Sequence, residues 1–239
     1  MTRFSSNRLN AVFLCVGILM YVGVRDVQAQ DTRLVEAVKA GDRVAVGILL
    51  TEQVDTNTAQ PDGATALHWA SYHDDLGLVE QLLDGGAKID AANDYGITPL
   101  SLACENGAAT MVGHLLAAGA SPDIPRSTGE TPLMTCARTG SVDAVKALLA
   151  QGADPNAMES WHGQTALMWA AAEAHTGVVR ALINHGATIG ARSTNGYTAI
   201  LIAARENTPK LIQLLAEAGA DVNDASPDGM TPLLIATIR

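Results

Sequence analysis

Apolar residues recur along most of the chain in pairs of short blocks, and turn-forming residues separate the blocks. In the stretch 94–126, DYGITPLSLACENGAATMVGHLLAAGASPDIPR, the first block places Leu100 and Ala103 on one helix face. The second block places Met111 and Leu115 at the same one-face spacing. The pattern predicts two short amphipathic helices followed by a loop.

The ends of both helices are also marked in the sequence. Thr98 is a residue type that accepts a free backbone N–H at a helix start, and Pro99 follows it at the first helical position, where no donor is needed. Gly107 and Gly119 can adopt the left-handed conformation that ends a helix. We therefore expect each helix to begin and end within this one stretch.

This unit is repeated along the chain. The glycine before the TPL-type triplet recurs in steps of 33, 33, 34, 33 and 33 residues, at Gly63, Gly96, Gly129, Gly163, Gly196 and Gly229. A single pair of short helices cannot bury its apolar faces alone, so neighbouring units must stack. The repeat predicts an all-α solenoid.

The repeated residues resemble the ankyrin repeat, whose pattern is roughly DxxGxTPLHxAxxxG, an apolar helix and then GADVN. The resemblance covers almost the whole chain after residue 30. It implies stacked helix-turn-helix units with hairpin-like loops, and a non-catalytic role in binding protein partners on a concave face. The chain departs from the pattern where the histidine after TPL is kept only as His68, and where Asp74, Ala174 and Asn207 replace the helix-ending glycine.

The repeat register divides the chain into four parts. Residues 1–29 are predicted to be a cleaved signal peptide, 30–58 a divergent N-terminal unit, 59–226 five full repeats and 227–239 an incomplete seventh repeat. The one extra residue falls in AMESWHG, between the fourth and fifth units. Because half a unit would leave apolar residues such as Leu233 and Leu234 uncovered, we expect the full-length product to continue past residue 239.

The N-terminus has the pattern of a secretory signal. Arg3 and Arg8 precede an apolar run over residues 11–24, and Val27 and Ala29 are the small residues that a signal peptidase requires. As a helix the run would rise about 21 Å, short of the roughly 30 Å hydrocarbon core of a bilayer. This favours cleavage after Ala29 over a retained N-terminal anchor, which is the alternative.

The charge balance narrows the class of partner. The formal net charge is -10, and loss of residues 1–29 removes three Arg and one Asp, which gives -12. An acidic surface without a basic stripe disfavours nucleic acid and anionic membranes as partners. We expect a monomer that binds a protein and needs no cofactor.

Two pairs of residues are candidates for chemistry, one of histidines and one of cysteines. His68 and His73 are five residues apart on a short helix, so they point in different directions and do not predict a metal site. Cys104 and Cys136 lie on neighbouring first helices. Helix axes roughly 8–10 Å apart would leave their Cα atoms beyond the about 7 Å limit for a disulfide, so we expect buried thiols, with a disulfide as the alternative.

No catalytic motif is found. GxSxG, HExxH, CxxC, GxGxxG and GxxxxGK are all absent from the sequence, which argues against an enzyme.

Trp69 and Trp169, which occupy the same position of the repeat, are interpreted as core residues.

The candidate partner-binding residues lie at the predicted loop tips and at the ends of the first helices, the positions that line the concave face in ankyrin proteins. They are Tyr72, His73, Tyr95, Glu105, Asn106, Arg138, Trp161, His162, Glu173, Tyr197, Arg205 and Glu206. Exposed Tyr and Trp are suitable anchors because they bury a large area at low entropic cost. Ordinary solvated loop residues are the alternative interpretation.

The sequence therefore predicts an exported, non-catalytic scaffold for protein–protein interaction, in the periplasm or secreted. The rival hypothesis is that the repeats are the binding arm of a longer secreted enzyme or receptor, whose other domain lies beyond residue 239.

Processing gives the first testable prediction. If residues 1–29 are a cleaved signal, the exported protein begins at Gln30. N-terminal sequencing of the exported protein checks this, and a product that still carries Met1 would contradict it.

Overall fold

A computed structural model of the chain describes residues 31–238. The predicted signal segment and the Gln30 terminus lie outside the described residues. Thirteen α-helices form the described part, which contains no strand beyond an isolated bridge between Ala59 and Thr65. None of these helices is long and apolar enough to span a bilayer.

The helices alternate between two layers. The first helices of the units are α1 (Arg33–Lys39), α3 (Ala66–Tyr72), α5 (Pro99–Glu105), α7 (Pro132–Thr139), α9 (Ala166–Ala172), α11 (Ala199–Arg205) and α13 (Pro232–Ile238). The second helices are α2 (Arg43–Thr51), α4 (Leu76–Asp84), α6 (Ala109–Ala117), α8 (Val142–Ala150), α10 (Thr176–Asn184) and α12 (Pro209–Glu217). From α1 to α11, each first helix packs on its own second helix and on the next first helix, so the units stack in register.

The starts of the first helices follow the sequence pattern. Thr98 is extended (φ -108°, ψ 162°), and its Oγ1 accepts from the Ser101 N–H at 3.2 Å, while the Ser101 hydroxyl accepts from the Thr98 N–H. Thr131 and Thr165 cap α7 and α9 by accepting from the N–H groups of Met134 and Met168 at 3.4 Å, without the reciprocal bond. A buried threonine cap satisfies donors that the helix cannot satisfy itself, so these caps help to fix where α5, α7 and α9 begin, whereas Thr32 and Thr198 precede α1 and α11 without a side-chain cap bond.

The first helices end in left-handed residues even where glycine is missing. Gly107 has φ +64° and Gly140 φ +79°, and the three replacements Asp74, Ala174 and Asn207 have φ +55°, +58° and +51°. Asp and Asn tolerate this region because their side chains hydrogen-bond locally, but the Cβ of alanine makes it unfavourable. The repeat geometry thus holds Ala174 in a strained conformation.

One apolar core runs the length of the stack, from Leu34 to Leu215. Leucine and valine of both layers meet small residues such as Ala103 and Ala137, which are fully buried. Small residues allow the first helices to approach closely, as the predicted solenoid requires. At the last helix Leu233 and Ile238 are each 72% exposed.

The cysteine pair corrects a sequence-based expectation. Cys104 and Cys136 form a disulfide between α5 and α7, with Cα atoms 4.7 Å apart, so the expectation of two buried thiols was wrong. The error came from comparing an interaxial distance with a limit that applies to Cα atoms. Each Cα lies about 2.3 Å from its helix axis, so facing Cα atoms come about 4–5 Å closer to each other than the axes do.

The left-handed alanine gives a stability prediction. Replacing Ala174 by glycine keeps the turn and removes the Cβ strain, so Ala174→Gly should raise the free energy of unfolding by about 1 kcal/mol. Urea unfolding of both proteins measures this. The control is Ala172→Gly at the helical end of α9, which should destabilise by about 0.5–1 kcal/mol. If both changes destabilise equally, α9 ends differently from the geometry described.

The disulfide gives another prediction. It joins residues 32 apart in sequence, and the entropy of the loop that it closes corresponds to about 3–4 kcal/mol of stability. Cys104→Ala/Cys136→Ala should therefore unfold at lower urea concentration than the oxidised protein. Mass spectrometry of a non-reduced digest should detect the linked peptides. Alkylation of both thiols in unreduced, denatured protein would show that the bond is absent.

Candidate functional site

The loops between units form a ladder along one side of the solenoid. The tips are residues 60–64, 93–97, 126–130, 159–164 and 193–197, and each is joined to the next by a backbone hydrogen bond. These bonds run from Asp94 N to Asp62 O, Ser127 N to Tyr95 O, Ser160 N to Thr128 O, and Thr194 N to His162 O, over 2.7–2.9 Å. The tips and the ends of the first helices line shared cavities, and we call this surface the tip face.

An aromatic cluster occupies the tip face near the N-terminal end. The Trp69 ring lies 5.9 Å from Tyr72 in an edge-on arrangement and 6.1 Å from His73, and the Lys39 ammonium lies 4.7 Å from its centroid. Tyr72 is 50% exposed. Trp69 and Tyr72, together with Ile97, border a mainly apolar cavity of about 280 Å³. Such a cavity can receive an apolar side chain.

His68 connects two units below this cavity. The Thr65 N–H donates to its Nδ1 at 3.1 Å, so the proton lies on Nε2, which donates to the Ile97 carbonyl at 2.9 Å. Burial lowers the pKa of His68 and keeps the ring neutral. Both nitrogens are therefore used structurally. No group of three or more potential metal ligands occurs among residues 31–238.

A second cavity, of about 160 Å³, lies between the tips of units four and five, residues 126–130 and 159–164. Trp161 and His162 from the tip, Trp169 from α9, and Glu130 and Glu159 all border it. Trp161 is 73% exposed. The cavity thus combines a protruding aromatic ring with two carboxylates, and we call it the Trp161 cavity.

Glu159 shapes the tip that carries Trp161. Its carboxylate accepts from the N–H groups of Trp161 (2.6 Å), His162 (2.8 Å) and Gln164 (3.0 Å). Burial disfavours the charged form, but these backbone donors hold the pKa of Glu159 below its ordinary value. The extra residue of unit five lies in this tip, because Glu159 N bonds Gln164 O whereas Gln60 N bonds Ala64 O, one residue closer in sequence. An ionised carboxylate therefore organises the longer loop.

A third cavity, of about 230 Å³, adjoins the second. Arg138 and Glu173 border it, and Trp169 separates it from the Trp161 cavity. The Arg138 guanidinium lies 5.7 Å from the Trp169 ring centroid. Arg138 and Glu173, both predicted as partner-binding residues, are exposed here.

Several other candidate residues also hold the units together. The Asn106 side chain donates to the Tyr72 carbonyl at 2.6 Å, and the His73 ring contacts the Lys39 carbonyl at 3.2 Å. Glu105 pairs with Arg126 at 2.6 Å. These side chains lie on the tip face but are already engaged by the chain.

The C-terminal candidates form one small group. Tyr197 is half-buried against the core, and the Arg205 guanidinium lies 5.9 Å from its ring. Arg205 also pairs with Glu206 at 3.0 Å. Tyr95, by contrast, is 61% exposed at its tip. The tip face thus offers Tyr72, Tyr95 and Trp161 as its freely exposed aromatic rings.

Sequence reasoning missed several residues that border the cavities, among them two tryptophans and two glutamates. Trp69 and Trp169 pack against the core, as predicted, but they are only partly buried and also border the cavities. Glu130 and Glu159 were not selected at all. The sequence does single out the position of Glu159, because Glu159 begins the one tip that carries an extra residue. Its hydrogen bonds, however, are visible only in three dimensions.

Comparison with known proteins agrees with this architecture. The family model described as "Ankyrin repeats (3 copies)" matches residues 34–126 and 107–193, and the model "Ankyrin repeat" matches residues 195–224. A search of curated proteins finds no match. Among solved structures, the crystal structure of the human ASB11 ankyrin repeat domain is similar, with a TM-score of 0.76 and 25% sequence identity over 85% of this chain and 90% of that chain.

Repeat length, helix pairs, capping residues and tip ladder therefore all agree with family models that together span residues 34–224. The chain belongs to the ankyrin repeat family.

Proposed function

We propose that this chain is a non-catalytic protein-binding module that acts outside the cytoplasm and contacts its partner through the tip face. Ankyrin repeats generally mediate protein–protein interaction, which supports the general role. The observation that carries the proposal for this surface is the row of exposed aromatic rings, Tyr72, Tyr95 and Trp161, at 50%, 61% and 73% exposure.

Exposed aromatic rings on a rigid ladder are suited to binding. Tyr and Trp dominate binding energy at interfaces because they bury large areas with few rotatable bonds. The tips that carry Tyr95 and Trp161 are fixed by backbone hydrogen bonds to their neighbours. Because the tips are already ordered, binding a partner would cost this surface little conformational entropy.

The disulfide supports the proposed location. Disulfides persist in oxidising compartments such as the periplasm and the extracellular space, and are rare in the cytosol. Cys104 and Cys136 are bonded and fully buried. Together with the signal-like N-terminus, this favours export of the protein, to the periplasm or to the medium.

Removing the two most exposed aromatic rings of the tip face tests the proposal. Tyr95→Ala/Trp161→Ala should abolish capture of the partner, while circular dichroism and the urea midpoint change little because both rings are exposed. The original candidate Tyr197 is left intact, since it packs against the core and its loss would also destabilise the fold. The measurement is affinity purification with mass spectrometry, comparing proteins recovered by the wild type and the variant.

Val44→Ala/Ile48→Ala is the matched control. These residues are 75% and 55% exposed on α2, in the other helix layer, so their loss should leave capture unchanged. Equal recovery by the tip variant and the wild type would show that the partner binds elsewhere.

A further inference from the structure

The Trp161 cavity carries a negative charge that no Lys or Arg of the described residues 31–238 pairs with. Among residues 31–238, no Lys, Arg or His nitrogen lies within 4.0 Å of the Glu130 carboxylate, which accepts a hydrogen bond from the Thr135 hydroxyl at 2.9 Å. Glu159 is ionised and only 7% exposed, and its nearest potential cation is His162 at 4.0 Å. Two carboxylates thus border one small cavity.

Neighbouring basic residues are engaged elsewhere. Arg126, which also lies next to Glu130 in its tip, pairs with Glu105 at 2.6 Å. Arg138 lies beyond Trp169, in the adjacent cavity with Glu173. No Lys or Arg within residues 31–238 therefore pairs with either carboxylate, and His162 is the one potential cation of the described chain at the border of the cavity.

The aromatic rings of the tip face differ in whether a cation of the described chain lies over them. Three of them have a cation of the chain over the ring, in the pairs Lys39–Trp69, Arg138–Trp169 and Arg205–Tyr197, at 4.7, 5.7 and 5.9 Å. Within residues 31–238 no Lys or Arg lies over Trp161, Tyr72 or Tyr95, and of these three rings Trp161 is the most exposed and the one that borders the two carboxylates. Tryptophan is the best aromatic partner for a cation.

Comparison of unit two with unit five shows how the cavity differs from its counterpart. In unit two the Trp69 indole N–H donates to Gln60 at 2.9 Å. In unit five the residue equivalent to Gln60 is Glu159, whose carboxylate turns to the backbone of its own tip instead. The Trp169 indole nitrogen and the Thr128 hydroxyl, both buried at the cavity, consequently have no hydrogen-bond partner within the described chain. A guanidinium bound here, which has only N–H donors, would be able to donate to the Thr128 hydroxyl but not to the indole N–H, which is itself a donor.

We propose that the Trp161 cavity is the part of the tip face that binds an arginine side chain of the protein partner, with the guanidinium stacked on Trp161 and facing Glu130 and Glu159. Arginine fits better than lysine because its planar, weakly hydrated head stacks on aromatic rings and pairs with carboxylates along its edge. A volume of about 160 Å³ accommodates a guanidinium group. This inference rests on the proposed function and adds the chemistry of the partner.

The three tryptophans permit a direct test, because all three indoles lie in the described chain and each gives one resonance. The ¹⁵N-labelled protein is titrated with acetyl-Gly-Arg-Gly-amide, and the indole signals, assigned from single Trp→Phe variants, are followed. The Trp161 and Trp169 signals should shift saturably. Trp69, the equivalent of Trp169 in unit two, should not shift and serves as the internal reference.

Two comparisons isolate the charge. Replacing Arg by citrulline, its neutral isostere, should weaken binding by about threefold to thirtyfold, the range expected for one stacked and partly solvated cation. Glu130→Gln should weaken binding of the arginine peptide by about threefold to tenfold and leave the citrulline peptide unchanged. Glu80→Gln, the same substitution at an exposed position of α4, is the matched control and should change neither.

The outcomes separate this inference from the function on which it rests. Equal affinity for the arginine and citrulline peptides, or shifts that spread equally to Trp69, would overturn the arginine site. Partner capture that is sensitive to Tyr95 and Trp161 would then still support the protein-binding module. Conversely, arginine-specific shifts at Trp161 support the site even if the partner proves to bind elsewhere on the solenoid.

Discussion

Stacking between units is the interaction on which every other feature of this protein depends. The helices have only seven to nine residues, well below the length of about 12–15 at which an isolated helix becomes marginally stable in water. The helices form because their apolar faces are buried against neighbouring helices of the stack. The core is consequently a continuous strip rather than a set of separate cores.

This dependence explains why the repeat tolerates local strain. The stack requires a left-handed residue where each first helix ends, and the same conformation is kept whether that position is Gly107, Asp74 or Ala174. The energy of an unfavourable alanine conformation is small compared with the burial of a whole helix face. The disulfide between α5 and α7 adds a covalent link to the same junction between neighbouring units, where small buried residues already bring the helices together.

The tips show how a fixed scaffold leaves room for recognition. Their backbones are tied to each other, so the stack determines where each tip lies but not which side chains it presents. The tip of unit five differs from the other tips in both its length and its side chains. One additional residue and the hydrogen bonds of the Glu159 carboxylate give its tip a longer loop, in which the exposed Trp161 shares a cavity with Glu130 and Glu159. In unit two, the indole of the equivalent tryptophan instead donates to Gln60. A local change in sequence thus alters the chemistry of the surface without altering the fold.

The sequence by itself determined the helix pairs, their caps, the stacking into a solenoid and the left-handed ends at Asp74, Ala174 and Asn207, because these follow from local residue type and from a regular period. It also located the exposed tips of Tyr95 and Trp161, since tips lie at a fixed place in each repeat. Only the tertiary structure decided that Cys104 and Cys136 face each other within bonding distance, that Trp69 and Trp169 border cavities, and that Asn106 is engaged by a neighbouring unit. These features depend on the distance and orientation between units, which are set by packing across the interface and are not encoded in the period of one unit.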